Sequence, residues 1–249
     1  MKYNFFWEVF CLLVIFQASI AAKKTANSAN RFNLITFLYN ETDEDRIAEY
    51  ITCLKKNLQH ALIDKIHVIY DTSKDDGENR ILTYMRSQDI DIEYINGRPT
   101  YEYCFKVANC LYPNSLVILS NADIYFNDSL NLFELYDFSN KFLALTRWNV
   151  LSDNTIAIYT WPGGKKAEYS QDAWIFKTPL RKIENGGIFL GEPGCDGKIA
   201  KQVFLSGLKV LNPCLSIQCC HFHLSAIRHY EKGCYLMSEL MPVPWNFLK

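Results

Sequence analysis

One apolar run of the sequence leads directly into side chains that suit metal binding. Leu116 to Leu119 precede Ser120-Asn121-Ala122-Asp123. Such a run predicts a strand buried on both faces, so that Asn121 and Asp123 emerge at its carboxyl end, where ligands gather in open α/β sheets. Side chains two residues apart point the same way from an extended chain, and their oxygens suit a hard cation that bridges a diphosphate. The alternative is an Asx-type turn after the strand.

Two histidines near the end of the sequence are a second candidate for metal binding. His221-Phe222-His223 follows a strand-like stretch from Val210 to Cys220. Spacing of two places both imidazoles on one face of an extended chain, a common arrangement of metal ligands. Hydrogen-bonded structural histidines are the alternative, because polar groups at strand ends normally find partners. Arg228, on a predicted loop, either contacts phosphates or is simply solvated.

Three carboxylates and one arginine lie near predicted strand ends in the second half of the sequence. Asp172 stands just before an apolar strand, and Glu192 precedes Asp196 by four residues. Apolar residues with helical spacing follow Asp196, so we expect it to be the N-cap of a helix. The predicted strand from Phe142 to Trp148 ends in Arg147, a cation beside a stacking surface.

The segments before these residues alternate between strand and helix, and this order predicts an α/β fold. A mostly parallel central sheet with helices on both faces, a three-layer sandwich, is the expected architecture. The predicted strands are Asn33–Asn40, Ile66–Asp71, Ile90–Ile95 and Leu116–Leu119, and the predicted helices follow Thr42 and span Tyr101–Leu111.

Composition and missing motifs exclude several classes of function. Hydrophobic residues make up 49% of the chain, which supports a packed core and argues against disorder. The formal net charge is −1, which gives no electrostatic case for binding nucleic acid. Neither GxGxxG nor GxxxxGK[ST] occurs, which counts against a dinucleotide oxidoreductase and a P-loop NTPase. A bound diphosphate would then need a metal.

The first 22 residues have the features of a secretory signal peptide. A short apolar run from Val9 to Phe16 is followed by small residues at Ser19 and Ala21, which suit cleavage. We therefore expect residues 23–30 to be a linker, residues 31–249 to form a single domain, and the protein to be secreted or to act in the secretory lumen. A membrane anchor over residues 5–22 is the weaker alternative. In an exported chain, the eight cysteines besides Cys11 permit disulfides.

Asn121-Ala122-Asp123 resembles the Asp-x-Asp motif of nucleotide-sugar glycosyltransferases with the GT-A fold, of the family 2 type, with Asn in the first place. The resemblance extends over about Phe32 to Tyr230. It implies transfer of a sugar from a UDP- or GDP-linked donor to a hydroxyl of a glycan, protein or lipid. It also implies a divalent cation, Mn2+ or Mg2+, held by Asp123 together with His221 or His223.

The same resemblance implies roles for the other candidates. Asp196 would be the base of an inverting transfer, with Asp172 and Glu192 as rivals for that role. The donor would lie near Asn40, Asp71 and Asn121, with Arg147 and Arg228 close to its phosphates.

Two other functions stay open at this point. A metal-dependent carbohydrate-binding protein, an inactive relative of the same fold, would need the cation site and no base. A hydrolase would use the same carboxylates with water as the acceptor.

Overall fold

The computed structural model describes residues 30–73, 79–225, 227 and 240–249. The predicted signal peptide, the alternative anchor, the linker up to residue 29 and Arg228 lie outside these ranges. Within them, no helix is both long enough and apolar enough to cross a membrane.

Thirteen strands and four α-helices make up the regular structure of the described residues. The helices are α1 (Glu44–Gln59), α2 (Arg80–Arg86), α3 (Tyr101–Leu111) and α4 (Cys195–Leu205). The strands are β1 (Phe32–Tyr39), β2 (Ile63–Asp71), β3 (Ile90–Ile95), β4 (Leu116–Ser120), β5 (Ile124–Phe126), β6 (Lys141–Leu145), β7 (Trp148–Val150), β8 (Ile156–Ile158), β9 (Thr160–Trp161), β10 (Lys165–Lys166), β11 (Ala173–Lys177), β12 (Lys209–Leu211) and β13 (Cys219–His221).

A seven-stranded, mostly parallel sheet forms the centre of the fold. Its order is β12-β6-β11-β4-β1-β2-β3, and β11 alone runs antiparallel to both of its neighbours. Leu34 and Ile118 pack into one hydrophobic cluster, whereas Ile35 and Val117 pack into another. Because alternate residues of a strand face opposite sides, β1 and β4 are buried on both faces. The predicted three-layer α/β architecture is confirmed.

Local sequence explains where the first helices begin. Asp43, not a helical residue itself, accepts a hydrogen bond from the backbone N–H of Arg46 and so caps α1. The Thr100 side chain caps α3 in the same way, since it accepts a hydrogen bond from the backbone N–H of Tyr103. Both caps stand directly before an amphipathic segment, and the predicted bounds of α3 agree with the structure.

Three local predictions in the second half of the chain are wrong. The strand predicted over Phe142–Trp148 ends at Leu145, and the chain then crosses into a second sheet as β7. The stretch Val210–Cys220 is not continuous strand, since Pro213, which has no N–H to donate, interrupts it. Gly194, with a φ of 83°, is the N-cap of α4, and Asp196 lies in its first turn.

A second, four-stranded sheet of order β5-β13-β7-β8 lies beside the large one. It joins three distant parts of the chain, because β13 pairs antiparallel with β5 and parallel with β7. The seven cysteines of the described residues are all free, so no disulfide joins them to one another.

Candidate active site

A cavity of about 1070 Å³ opens at the carboxyl ends of β1 and β4. The predicted site residues that line it are Asn121, Asp123, Arg147, Asp172, Glu192, Asp196, His221 and His223. Residues from both halves of the chain therefore meet in one place, at the edge of the sheet where ligands are expected.

The small sheet brings the histidines to Asp123. The strand β4 ends at Ser120, and a backbone hydrogen bond from Ile124 to Asn121 closes a turn before β5 begins. His221 is the last residue of β13 and pairs with Ile124, directly after Asp123. Its Nε2 lies 3.1 Å from Asp123 Oδ2, and His223 Nδ1 lies 3.8 Å from the same oxygen.

These three side chains fit a divalent cation. One potential ligand atom from each lies within 4.8 Å of the others. Among the described residues, Asp123 Oδ1 and His223 Nε2 are buried without a hydrogen-bond partner. Buried polar atoms normally have partners, and a bound cation would supply one here. Asn149 Oδ1 lies 3.3 Å from His221 Nδ1 and can accept a hydrogen bond from it. With the proton on Nδ1, Nε2 is free to bind metal.

The electrostatics of the cluster keep Asp123 and His223 in their metal-binding forms. Burial alone would raise the pKa of Asp123, but His221 and Arg46 outweigh it and hold the pKa well below its usual range. Burial, with Arg46 and His221 adding to it, lowers the pKa of His223 to about 4. At neutral pH, Asp123 is therefore ionised and His223 is neutral, as metal ligands must be.

Arg46 is the main residue of this site that the sequence interpretation missed. Its guanidinium is buried and lies 2.6 Å from Asp123 Oδ2 and 2.7 Å from Glu49 Oε2. A signal was present, since a cation in the first turn of a helix opposes the helix dipole. The acidic residues around it, Glu44 and Asp45, follow the usual preference.

Asp172 is held by an arginine and an amide. Arg147 Nη1 lies 3.2 and 3.1 Å from its two carboxylate oxygens, and Asn121 Nδ2 donates to Oδ1 at 3.0 Å. Burial lowers the pKa of Arg147, but the Asp172 charge outweighs it and the net pKa of Arg147 is raised, so the guanidinium stays charged. With both oxygens engaged, Asp172 suits the positioning of Arg147 and Asn121.

Asp196 is in a different environment and has fewer partners. Its Oδ2 accepts a hydrogen bond of 3.3 Å from the backbone N–H of Gln171, and its Oδ1 accepts one of 3.2 Å from the Cys195 thiol. Burial, and then the negative charge of Asp172, raises the pKa of Asp196 to about 7. A carboxylate with this pKa, facing a cavity, can accept a proton at neutral pH.

The remaining predicted residues lie at the periphery or outside the cavity. Glu192 is exposed on the loop before α4 and lines the cavity. Asn40 accepts a hydrogen bond from Asn79, and Asp71 accepts two from the backbone N–H groups of Ser73 and Gly97. Within the described ranges, Asn40 and Asp71 are at the same edge of the sheet but are not lining residues of this cavity.

Aromatic rings form one wall of the cavity. Trp161 and Tyr169 stack with their ring centroids 5.8 Å apart and their planes within 4° of parallel. The Arg147 guanidinium lies 3.8 Å from the centroid of Tyr159. Tyr169 is 36% exposed. We refer to Tyr159, Trp161 and Tyr169 as the aromatic wall.

No family model matches this sequence, and no curated protein matches it either. The structure is similar to solved structures of two transferases. One is the mannosyltransferase PcManGT from Pyrobaculum calidifontis, in complex with GDP-Man and Mn2+, with a TM-score of 0.50 and 13% identity over 86% of this chain and 67% of that one. The other is GalNAc-T7, with UDP, GalNAc and Mn2+, with a TM-score of 0.53 and 10% identity over 78% of this chain and 44% of that one.

These likenesses show a GT-A-like fold. At 10–13% identity they do not extend to the activity, and the chain spans less than half of GalNAc-T7.

Proposed function

We propose that this protein is a metal-dependent glycosyltransferase that moves a sugar from a nucleotide-diphosphate donor to an acceptor hydroxyl, with inversion. The observation that carries the proposal is one cavity that contains both a cation site and a separate carboxylate with a pKa of about 7. The GT-A-like fold supports it, since two solved structures of that fold hold a nucleotide or nucleotide sugar with Mn2+.

Asp123, His221 and His223 would hold the cation. Two imidazoles and one carboxylate favour Mn2+ over Mg2+, because Mg2+ prefers oxygen ligands. A bound cation would offset the charge that grows on the leaving diphosphate.

Asp196 would act as the base. In the transfer, the acceptor oxygen forms a bond to the anomeric carbon while the bond from that carbon to the phosphate oxygen breaks and its electron pair stays with the diphosphate. The proton of the acceptor hydroxyl passes to Asp196. Asp172 has both oxygens engaged by Arg147, and Glu192 is exposed, so neither suits the role as well.

The acceptor would lie against the aromatic wall. Tyr169 is two residues before Gln171, whose backbone N–H binds Asp196, so the wall lies beside the proposed base. Flat aromatic faces bind the apolar C–H faces of sugars, and a saccharide is therefore the acceptor that this surface favours. The donor would enter the cavity from the side of the cation site, and the acceptor would enter from the side of the aromatic wall.

The first experiment is calorimetric titration of UDP and GDP into the purified full chain, with Mn2+ and again with a chelator. We expect binding that requires the metal and is lost in Asp123→Ala. Asp128→Ala, which removes an aspartate from the 3-10 turn after β5, is the matched control and should keep the affinity. Absence of binding of both nucleotides in the presence of Mn2+ would refute the proposal.

A second variant separates transfer from mere binding or hydrolysis. Asp196→Asn should retain nucleotide binding and lose at least about a hundredfold in transfer rate, as removal of a general base does. A carbohydrate-binding protein would keep its full affinity for sugar in this variant. A hydrolase would release sugar from the donor at a rate that no added acceptor changes.

A further inference from the structure

The proposed cation site already contains a positive charge. Arg46 is buried and contacts Asp123 at 2.6 Å and Glu49 at 2.7 Å. Together these three side chains carry a formal charge of −1. The carboxylate oxygen that Arg46 contacts is also the one nearest to both histidines. A divalent cation at this site would therefore sit beside a guanidinium that neutralises its main anionic ligand.

Arg46 cannot leave the site easily, because Glu49 is itself anchored. Glu49 Oε1 accepts hydrogen bonds of 2.6 Å from the backbone N–H groups of Leu224 and Ser225, and Oε2 accepts one of 3.0 Å from the Ser225 hydroxyl. Arg46 also lies against Tyr50, with its guanidinium carbon 4.5 Å from the ring centroid. The guanidinium is thus held at the edge of the cavity, which it lines.

We infer that Arg46 makes cation binding at the Asp123 cluster depend on a diphosphate, and that its guanidinium contacts that diphosphate directly. Like charges a few ångströms apart in a partly buried site repel strongly, so the cation alone binds weakly. A diphosphate adds negative charge that binds both cations, and an arginine offers it two N–H donors at once. The inference rests on the proposed function, since it assigns the diphosphate to this cavity.

The test compares two ligands given separately to the full chain. Mn2+ alone is titrated and followed by the loss of the free Mn2+ resonance in electron paramagnetic spectra. Inorganic pyrophosphate alone, with chelator present, is titrated by calorimetry. In Arg46→Gln we expect Mn2+ to bind at least about tenfold tighter than in the wild type, and pyrophosphate at least about tenfold more weakly. A residue with a purely structural role would weaken both ligands.

Two further variants make the result specific. Arg46→Lys keeps the charge and should resemble the wild type for Mn2+. Arg147→Gln also removes a cation from this cavity, but Arg147 is paired with Asp172 and not with Asp123. This variant should therefore change Mn2+ affinity much less than Arg46→Gln does. Thermal melting of each variant establishes that it folds, and Arg46→Met, a second neutral substitution, replaces Arg46→Gln if that variant does not fold.

The outcomes separate this inference from the proposed function. Mn2+ binding that is unchanged or weaker in Arg46→Gln, with Mn2+ bound normally by the wild type in the presence of pyrophosphate, overturns the role of Arg46 alone. An Arg46→Lys variant that binds free Mn2+ as tightly as a neutral substitution overturns it too. Failure of every variant to bind Mn2+, with and without pyrophosphate, overturns both.

Discussion

Replacing Asp196 with asparagine should stabilise the protein, and increasingly so as the pH rises. The folded chain raises the pKa of Asp196 to about 7, above the 3.8 of an ordinary aspartate, chiefly through burial. The folded state therefore holds the proton more tightly than the unfolded state does. By linkage, the wild type loses stability as the pH rises from about 4 to about 7, whereas asparagine does not titrate. The amide of the new asparagine can accept the hydrogen bond from the Gln171 backbone N–H and donate a weak one to the Cys195 sulfur.

The size of the effect follows from these two pKa values. Each pH unit between them contributes about 1.4 kcal/mol, which gives about 4 kcal/mol in total. Solvent that reaches the partly exposed carboxylate screens its interactions, so we expect about 2 to 4 kcal/mol. Most of this difference should accumulate between about pH 4 and pH 7, and above about pH 8 it should be constant.

The assay is urea unfolding of wild type and Asp196→Asn at pH 5, 6, 7 and 8. Other titrating groups contribute equally to both proteins and cancel in the difference. Asp153→Asn is the matched control, because hydrogen bonds from Thr155 lower the pKa of Asp153 and its carboxylate stays ionised over this range. A difference for Asp196→Asn that does not change with pH, or that falls as the pH rises, would refute the environment described for this carboxylate.

Three further substitutions test other parts of the structure. Arg147→Met leaves the buried Asp172 carboxylate without its cation, and urea unfolding should show a loss of about 3–5 kcal/mol, whereas a loss under about 1 kcal/mol would contradict the pair. Asn57→Leu removes a buried amide that hydrogen-bonds to the backbone at both ends of β5, and it should cost about 2–4 kcal/mol, against almost nothing for the exposed Asn131→Leu. Trp161→Ala should raise KM for a saccharide acceptor at least about fivefold in initial-rate measurements and leave KM for the donor nearly unchanged, since the ring lies in the aromatic wall; equal changes in both would argue against that subsite.

Most of the first half of the fold, with the exception of the short helix α2, could be predicted because its signals are local. The runs that became β1, β2, β3 and β4 are apolar and short, and Thr100 marks the start of an amphipathic helix just where α3 begins. Each of these signals lies within a dozen residues of sequence. The predicted elements therefore agree with the structure to within a few residues.

The second half could not be predicted in this way because its strands change partners. Leu145 belongs to the large sheet and Trp148 to the small one, yet the sequence between them is uniformly strand-like. The pairing of His221 with Ile124 joins positions almost a hundred residues apart, and no local pattern records it. Their spacing makes the histidines candidates in the sequence, whereas the pairing of β13 with β5 is what brings them into contact with Asp123.

The candidate site was anticipated by residue type more than by geometry. Eight of the proposed residues line one cavity. The resemblance favoured Asp196 as the base, but the sequence could not rank it against Asp172 on geometry, because that ranking depends on which of them Arg147 contacts. Arg46 was overlooked because it lies among the acidic residues of a well-capped helix start, where its partner, Asp123, is far away in sequence.

From the order in which the members of the cluster are synthesised, we expect the ion pair between Arg46 and Asp123 to matter during folding. A chain that emerges from the ribosome presents α1 and β4 long before β13, and folding during synthesis proceeds from the N-terminus. Without a cation beside it, Asp123 would be an uncompensated charge against a forming core, which is costly. Arg46 is already present and can pair with it. We therefore expect Arg46 to offset the charge of Asp123 while the parallel part of the sheet forms, before β13 is made, and it keeps this contact in the finished fold.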